Sequence, residues 1–309
     1  MSTPRGPLRC FTCLPLTLVV LLLASCSPRE AASTSADPAG PASAFATYEG
    51  KQVHYLDTAG PGTALILVHG WACDSRVWEA QLESLASRAR VIAVDLPAHG
   101  KSEIPDSELS MDLFARATAA VMDHAGVEQA VLVGHSNGTP VIRQFYRLFP
   151  ERTRALVVVD GALRQMLNDE IIEQMKPRLT KQNYRETVAG FIDGMAGNGL
   201  DEASRAGIKT MALRQPHAAV YGGLIAAADA KVWEPDPIET PLLLILAEQP
   251  SWNEDYFDFV KQLAPQAEIH ILPGVSHFIM TERPEEFDSL LTAFLESHNI
   301  LEPSPRQTL

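Results

Sequence analysis

Short apolar runs alternate with amphipathic segments along most of this chain. A continuous apolar run such as residues 64–68 indicates a strand buried on both faces of a parallel sheet. In residues 74–88, apolar side chains follow Asp74 at helical spacing, which predicts a helix with Asp74 as its N-cap. The same criteria predict strands over 91–94, 130–133, 155–159, 242–246 and 269–272, and helices over 111–124, 140–149, 256–263 and 284–297. Such alternation predicts an α/β fold with a doubly wound, mostly parallel sheet and helices on both faces.

Two segments depart from this alternation. Residues 45–48 and 52–56 flank Glu49-Gly50 and predict a β-hairpin before the first parallel strand. Residues 163–237 have helical periods and no strand, and about 75 residues is far too long for an ordinary connection. We therefore expect an inserted helical cap over the strand ends, where such sheets bind ligands. The domain is then divided into core segments 44–162 and 238–300, the cap between them, and a tail over 301–309.

The N-terminus has the features of an export signal. Arg5 and Arg9 precede an apolar run that is too short to span a bilayer as a helix, so a secretory signal is favoured over a membrane anchor. Leu23-Ala24-Ser25-Cys26 resembles the lipobox of bacterial lipoproteins. This resemblance implies a signal peptide over 1–25, a lipid on Cys26, and attachment to the cell envelope. Because Ser27 replaces the Asp that favours inner-membrane retention, we expect the outer membrane, facing the periplasm. Residues 26–43, rich in Ser, Ala, Pro and Gly, predict a flexible tether.

Composition excludes several partner classes. The chain of 309 residues has 25 Lys and Arg against 38 Asp and Glu, a net charge of −13, so nucleic acid is an unfavourable partner. Of the four cysteines, Cys10 and Cys13 lie in the predicted signal and Cys26 at the predicted lipidation site. Cys73 remains alone, which excludes an internal disulfide, and we expect it to be a small buried side chain. No Cys/His cluster has zinc spacing and no nucleotide motif is present, so we expect neither metal nor cofactor.

One motif carries candidate chemistry. Gly134-His-Ser-Asn-Gly138 follows an apolar strand and opens a predicted helix. A sharp strand-to-helix turn crowds the backbone, which requires small residues around a serine whose hydroxyl is lifted clear. The sequence therefore predicts that Ser136 is a nucleophile.

Together with three further segments, this motif resembles the α/β-hydrolase superfamily over about residues 45–300. The matching segments are His69-Gly70-Trp71, the turn Asp95–Ser102, and Gly274–Phe278 followed by Glu282–Phe287. The resemblance implies that His277 is the base for Ser136, and that the backbone N–H groups of Trp71 and Asn137 form an oxyanion hole. It also implies packing and hydrogen-bonding roles for His69, His99 and His135. Dehalogenases and epoxide hydrolases of the superfamily use an Asp nucleophile, whereas this chain has a serine.

The acid of the triad is less obvious. The family usually carries an Asp shortly after the strand at 242–246, where this chain has Pro250. Some branches place the acid at the end of the preceding strand, and Asp160 stands there. A carboxylate at that edge could accept the N–H of His277, so we predict a Ser136–Asp160–His277 triad. The alternative role of Asp160 is a cap for the first cap helix, and Glu248, Glu254 and Asp255 are the other candidate acids.

The leading hypothesis is thus a lipid-anchored serine hydrolase acting on a small or medium-sized carboxylic ester. Hydrolysis of a carbon–carbon bond or of a lactone uses the same triad and is the second hypothesis. A non-catalytic binding lipoprotein that kept the fold is the third, and labelling by a fluorophosphonate would distinguish it from an enzyme.

Overall fold

The computed structural model describes residues 40–197 and 199–302. The predicted signal peptide, Cys26, most of the predicted tether and most of the predicted tail lie outside these residues. The described part begins with the predicted hairpin, in which β1 (Ala42–Tyr48) pairs antiparallel with β2 (Lys51–Asp57). The first strand thus starts two residues before the predicted start of the core.

Six further strands complete one sheet. They are β3 (Ala64–Val68), β4 (Arg90–Val94), β5 (Ala130–His135), β6 (Thr153–Val159), β7 (Leu242–Ala247) and β8 (Glu268–Leu272). The spatial order is β1-β2-β4-β3-β5-β6-β7-β8. The pairs β1–β2 and β2–β4 are antiparallel and the other five pairs are parallel. The predicted doubly wound, mostly parallel sheet is confirmed.

Helices cover both faces of the sheet because the strand side chains alternate between them. The helices are α1 (Glu79–Ser84), α2 (Met111–His124), α3 (Gly138–Leu148), α4 (Asp169–Met175), α5 (Tyr184–Ala196), α6 (Glu202–Arg214), α7 (His217–Ala228), α8 (Glu254–Leu263), α9 (Ile279–Glu282) and α10 (Pro284–Ser297). Leu65 and Leu67 of β3 belong to a hydrophobic cluster with residues of α10. Ile66 and Val68 belong to a second cluster with residues of α2, α3 and α8.

The helix predicted over 74–88 is present but is shorter than predicted and begins with a 3-10 turn. Asp74 caps the segment as expected, with its side chain accepting from the N–H of Arg76, but Ser75–Trp78 form a 3-10 turn. Only α1 is α-helical, and it ends at Ser84. The N–H of Ser75 donates to Oδ1 of Asp95 at 2.7 Å. The Asp95 carboxylate, directly after β4, therefore fixes the first turn. A local sequence pattern cannot predict this contact.

The described residues of the segment 163–237 form α4 to α7 and no strand, as their helical periods predict. Several polar contacts connect this insertion to the loops at the strand ends, and two of them show where it lies. The indole Nε1 of Trp71 donates to the carbonyl of Val220 at 2.7 Å, and the N–H of His277 donates to the carbonyl of Met195 at 3.2 Å. The insertion thus lies over the carboxyl edge of the sheet.

None of the helices within the described residues is both long enough and apolar enough to cross a bilayer.

Candidate active site

A tight turn between β5 and α3 presents Ser136. This residue has φ +52°, in the left-handed region, and its N–H donates to the carbonyl of Val159 at 2.9 Å. The backbone on either side is too close for larger residues. A Cβ on Gly134 would lie 2.6 Å from the carbonyl oxygen of Gly138, and a Cβ on Gly138 would lie 2.5 Å from that of Val68. The glycines of the motif are therefore required by close packing, and they leave the Ser136 side chain facing a cavity.

A histidine–carboxylate pair faces the same cavity. His277 follows β8, and Asp160 directly follows β6 with φ +41°, which is strained for a residue other than glycine. The distance from Nδ1 of His277 to Oδ2 of Asp160 is 2.6 Å. Since a carboxylate accepts hydrogen bonds, Nδ1 is the donor, and Nε2 of the neutral ring is left as an acceptor.

The two backbone N–H groups predicted to form the oxyanion hole belong to separate segments of the chain. Trp71 and Asn137 both line the cavity, the first in the loop after β3 and the second at the N-terminus of α3. Among the described residues, no acceptor pairs with the N–H of either one. Their side chains are engaged elsewhere, since the Asn137 amide donates to the carbonyl of Gly223 at 3.3 Å. Within the described residues, the fold therefore uses neither N–H group as a donor.

The cavity itself has a volume of about 350 Å³ and apolar walls. Its cap side is formed by α4, α5 and α7 and by the segments that precede α4 and follow α7, and its floor by the strand ends. The apolar side chains from the cap and its flanks are Met166, Leu167, Met175, Phe191, Met195, Leu224 and Trp233. No Lys or Arg is among the described residues that line it. Three methionines of the insertion, Met166, Met175 and Met195, therefore contribute to the wall of this cavity.

Comparisons with known proteins agree with this architecture. Residues 63–211 match the family described as alpha/beta hydrolase fold. A thermophilic esterase from Thermogutta terrifontis superposes with a TM-score of 0.72 at 23% identity, covering 84% of this chain and 99% of the other. The structure of another thermophilic esterase gives a TM-score of 0.69 at 25% identity, covering 84% and 98%. The chain has the α/β-hydrolase fold.

Relatives by sequence extend over most of this chain. A pimeloyl-[acyl-carrier protein] methyl ester esterase of Nitrosomonas europaea is 28% identical over 77% of this chain and 98% of its own length. A 2-hydroxy-6-oxononadienedioate/2-hydroxy-6-oxononatrienedioate hydrolase of Burkholderia vietnamiensis is 26% identical over 79% and 91%. The dihydrolipoyllysine-residue acetyltransferase component of an acetoin cleaving system of Pseudomonas putida is 27% identical over 84% and 70%. Together, the comparisons support a hydrolase enzyme.

Within this α/β-hydrolase fold, the structure brings Asp160 to His277 and leaves the other candidate acids outside. Glu248, Glu254 and Asp255 are exposed, and none of them lines the cavity. Trp252, which is not among the predicted site residues, donates from Nε1 to Oδ1 of Asp160 at 3.1 Å. Trp252 stands two residues after Pro250, in the loop where the usual acid is absent, and that position is the only signal in the sequence.

The remaining histidines of the α/β-hydrolase motifs pack and form hydrogen bonds, as predicted. Burial lowers the pKa of His69, lowers that of His99 to about 3, and lowers that of His135 well below its ordinary value. All three are therefore neutral at pH 7. Nε2 of His135 donates to the carbonyl of His277 at 2.9 Å, and Nε2 of His69 accepts from the N–H of Leu96 at 3.1 Å.

Cys73 is a buried side chain, as predicted. It is 1% exposed and lines the cavity. Burial raises the pKa of its thiol far above the ordinary value, so the side chain stays protonated and unreactive at pH 7.

Proposed function

We propose that the protein is a serine hydrolase that cleaves a small or medium-sized neutral carboxylic ester through an acyl-enzyme intermediate. Ser136 is the nucleophile, His277 the general base and Asp160 the acid that orients it. The observation that carries the proposal is that a serine at a strained strand-to-helix turn lines the same cavity as a hydrogen-bonded His–Asp pair whose carboxylate is buried.

The chemistry follows from the directions of the hydrogen bonds. Nε2 of His277 takes the proton of Ser136 as Oγ attacks the ester carbonyl, and Asp160 stabilises the imidazolium that forms. The N–H groups of Trp71 and Asn137 stabilise the negative charge that develops on the carbonyl oxygen. His277 then returns the proton to the leaving alcohol, and a water molecule releases the acid by the same steps.

The cavity lining favours a neutral substrate. A free carboxylate elsewhere on the substrate would enter an apolar cavity that no Lys or Arg among the described residues lines. The Asp160 carboxylate would also repel it. This disfavours the dicarboxylate type of substrate named for the Burkholderia relative, although carbon–carbon hydrolysis uses the same triad. A neutral lactone would enter the cavity as readily as an open-chain ester and belongs in the test.

A panel of p-nitrophenyl esters tests both the activity and the substrate class. From acetate to butyrate, kcat/KM is expected to rise about fourfold for each methylene, because each one transfers apolar surface into the cavity. Laurate should be slower than octanoate because the cavity is limited to about 350 Å³. The hemisuccinate, which matches butyrate in chain length, should react at least about 100-fold more slowly.

Ser136→Ala is the control for this panel, and it should show no hydrolysis above the background rate. A hemisuccinate that reacts as fast as butyrate would contradict the neutral cavity. Turnover of the panel by folded Ser136→Ala would contradict the nucleophile. Faster turnover of a neutral lactone than of any open-chain ester would reassign the substrate.

The proposal also includes a lipid anchor on Cys26, after the sequence Leu23-Ala24-Ser25. An acylated cysteine followed by a tether would keep the hydrolase at the bacterial envelope, on the outer membrane facing the periplasm. Growth of a bacterial host with labelled palmitate should label the full-length chain but not Cys26→Ser. Equal labelling of both chains, or of neither, would contradict the anchor.

A further inference from the structure

Trp252 occupies the loop between β7 and α8 in a fixed orientation. The backbone N–H of Trp252 donates to the carbonyl of Gln249 at 3.1 Å, which closes a turn within the loop. The side chain is buried, and its ring centroid lies 4.7 Å from that of Tyr256 on α8. The indole N–H is therefore held by packing where it meets Asp160.

The two oxygens of Asp160 have different partners. Oδ1 accepts from Nε1 of Trp252 at 3.1 Å and from the N–H of Ala247 at 3.0 Å. Oδ2 accepts from Nδ1 of His277 at 2.6 Å. Two donors on one oxygen restrict rotation of the carboxylate about its Cβ–Cγ bond, and this keeps the other oxygen in line with the imidazole.

The backbone around Asp160 needs such support. Asp160 has a positive φ, and the next residue leaves no room for adjustment, since a Cβ on Gly161 would lie 1.9 Å from Oγ1 of Thr139. The N–H of Leu163 donates to the Tyr256 hydroxyl at 3.1 Å. Residues in and just before α8 therefore brace both the Asp160 side chain and the chain that follows it.

We infer that Trp252 is a positioning residue for the Asp160–His277 pair. The loop that lacks the usual Asp of the family supplies instead the hydrogen-bond donor that fixes Asp160 at the end of the neighbouring strand. This inference rests on the proposed function of the pair. The ring of Trp252 also lines the cavity, so the indole N–H is the group to be tested.

Trp252→Phe removes this donor and keeps an aromatic ring. We expect kcat to fall about tenfold with KM changed less than twofold, because one hydrogen bond to a charged group is lost and the apolar wall remains. The rate of Ser136 labelling by a fluorophosphonate should fall by a similar factor. Trp233→Phe is the matched comparison: it also lines the cavity, but its Nε1 donates to the carbonyl of Ala227 at 2.7 Å, so its effect should be on KM.

A second pair of variants separates positioning from packing. In an Asp160→Asn background, Trp252→Phe should cost less than twofold, because the carboxylate through which it acts is absent. An equal tenfold loss in both backgrounds would overturn the inference. If Trp252→Phe does not fold, β-(3-benzothienyl)alanine at position 252, with sulfur in place of the N–H, carries the same expectations.

The labelling rate also distinguishes the two proposals. Folded wild-type protein that fails to label would overturn the proposed function and, with it, this inference. Wild-type protein that labels, with folded Trp252→Phe labelling at the same rate, would overturn the inference alone.

Discussion

Asp160→Asn is expected to lower kcat by about 10³- to 10⁴-fold with little change in KM. The reason lies in the donors around the carboxylate. The N–H of Ala247 and the indole of Trp252 both point at Oδ1, so the amide oxygen of the variant must take that place. The amide NH₂ then replaces Oδ2 and donates to Nδ1 of His277. This fixes the tautomer in which Nε2 carries a proton, and such a ring cannot accept one from Ser136.

The measurement is steady-state hydrolysis of a p-nitrophenyl ester, with circular dichroism to verify folding. Glu248→Gln is the matched control, because Glu248 is an exposed carboxylate close to the position where the family usually carries its acid. It should retain wild-type activity. The opposite result, a large loss in Glu248→Gln and a small one in Asp160→Asn, would reassign the acid.

Much of the fold and of the site could be predicted because burial leaves a direct pattern in the sequence. β3 coincides with the predicted run over 64–68, since all five residues are buried and therefore apolar. Asp160 could be proposed for a related reason. Parallel strands end at one edge of a sheet, so a polar residue directly after a buried strand must lie near the other strand ends.

What could not be predicted depends on contacts between distant residues. Trp252 donates to a residue 92 positions away, and a tryptophan in a loop has no pattern that distinguishes this from ordinary packing. The first turn after Asp74 is likewise fixed by the Asp95 carboxylate, which accepts a hydrogen bond from the N–H of Ser75. Phe191 and Ile192 both belong to the apolar pattern that predicts the cap helix α5. In the structure, Phe191 is partly exposed and lines the cavity, whereas Ile192 is buried in the hydrophobic core.

Outside the cavity, His54 and Asp95 form a fully buried His–Asp pair, which makes a stability prediction possible. Asp95 is 2% exposed, and its Oδ2 accepts from Nδ1 of His54 at 2.7 Å and from the N–H of Lys101 at 2.8 Å. Its Oδ1 accepts from the N–H of Ser75 at 2.7 Å. This single carboxylate joins β2, the turn before α1 and the loop after β4. Burial pushes the pKa of Asp95 upward, but the hydrogen bonds from His54, Lys101 and Ser75 outweigh burial and hold it at about 2.

Asp95→Asn is therefore expected to lower the free energy of unfolding at pH 7 by about 3 kcal/mol, because an amide leaves at least one buried donor without an acceptor. An unfolded Asp titrates near pKa ~3.9, so the carboxylate stabilises the fold above that pH, and the contribution is lost as the pH falls through about 2. The difference in free energy of unfolding between wild type and variant, measured by urea unfolding, should be constant from pH 7 to about pH 5 and narrow below about pH 4.

Asp106→Asn is the control. It removes an exposed partner of Lys51 and should leave the urea midpoint unchanged. A gap that stays constant down to the lowest pH at which the protein folds would show that the charge of Asp95 contributes nothing.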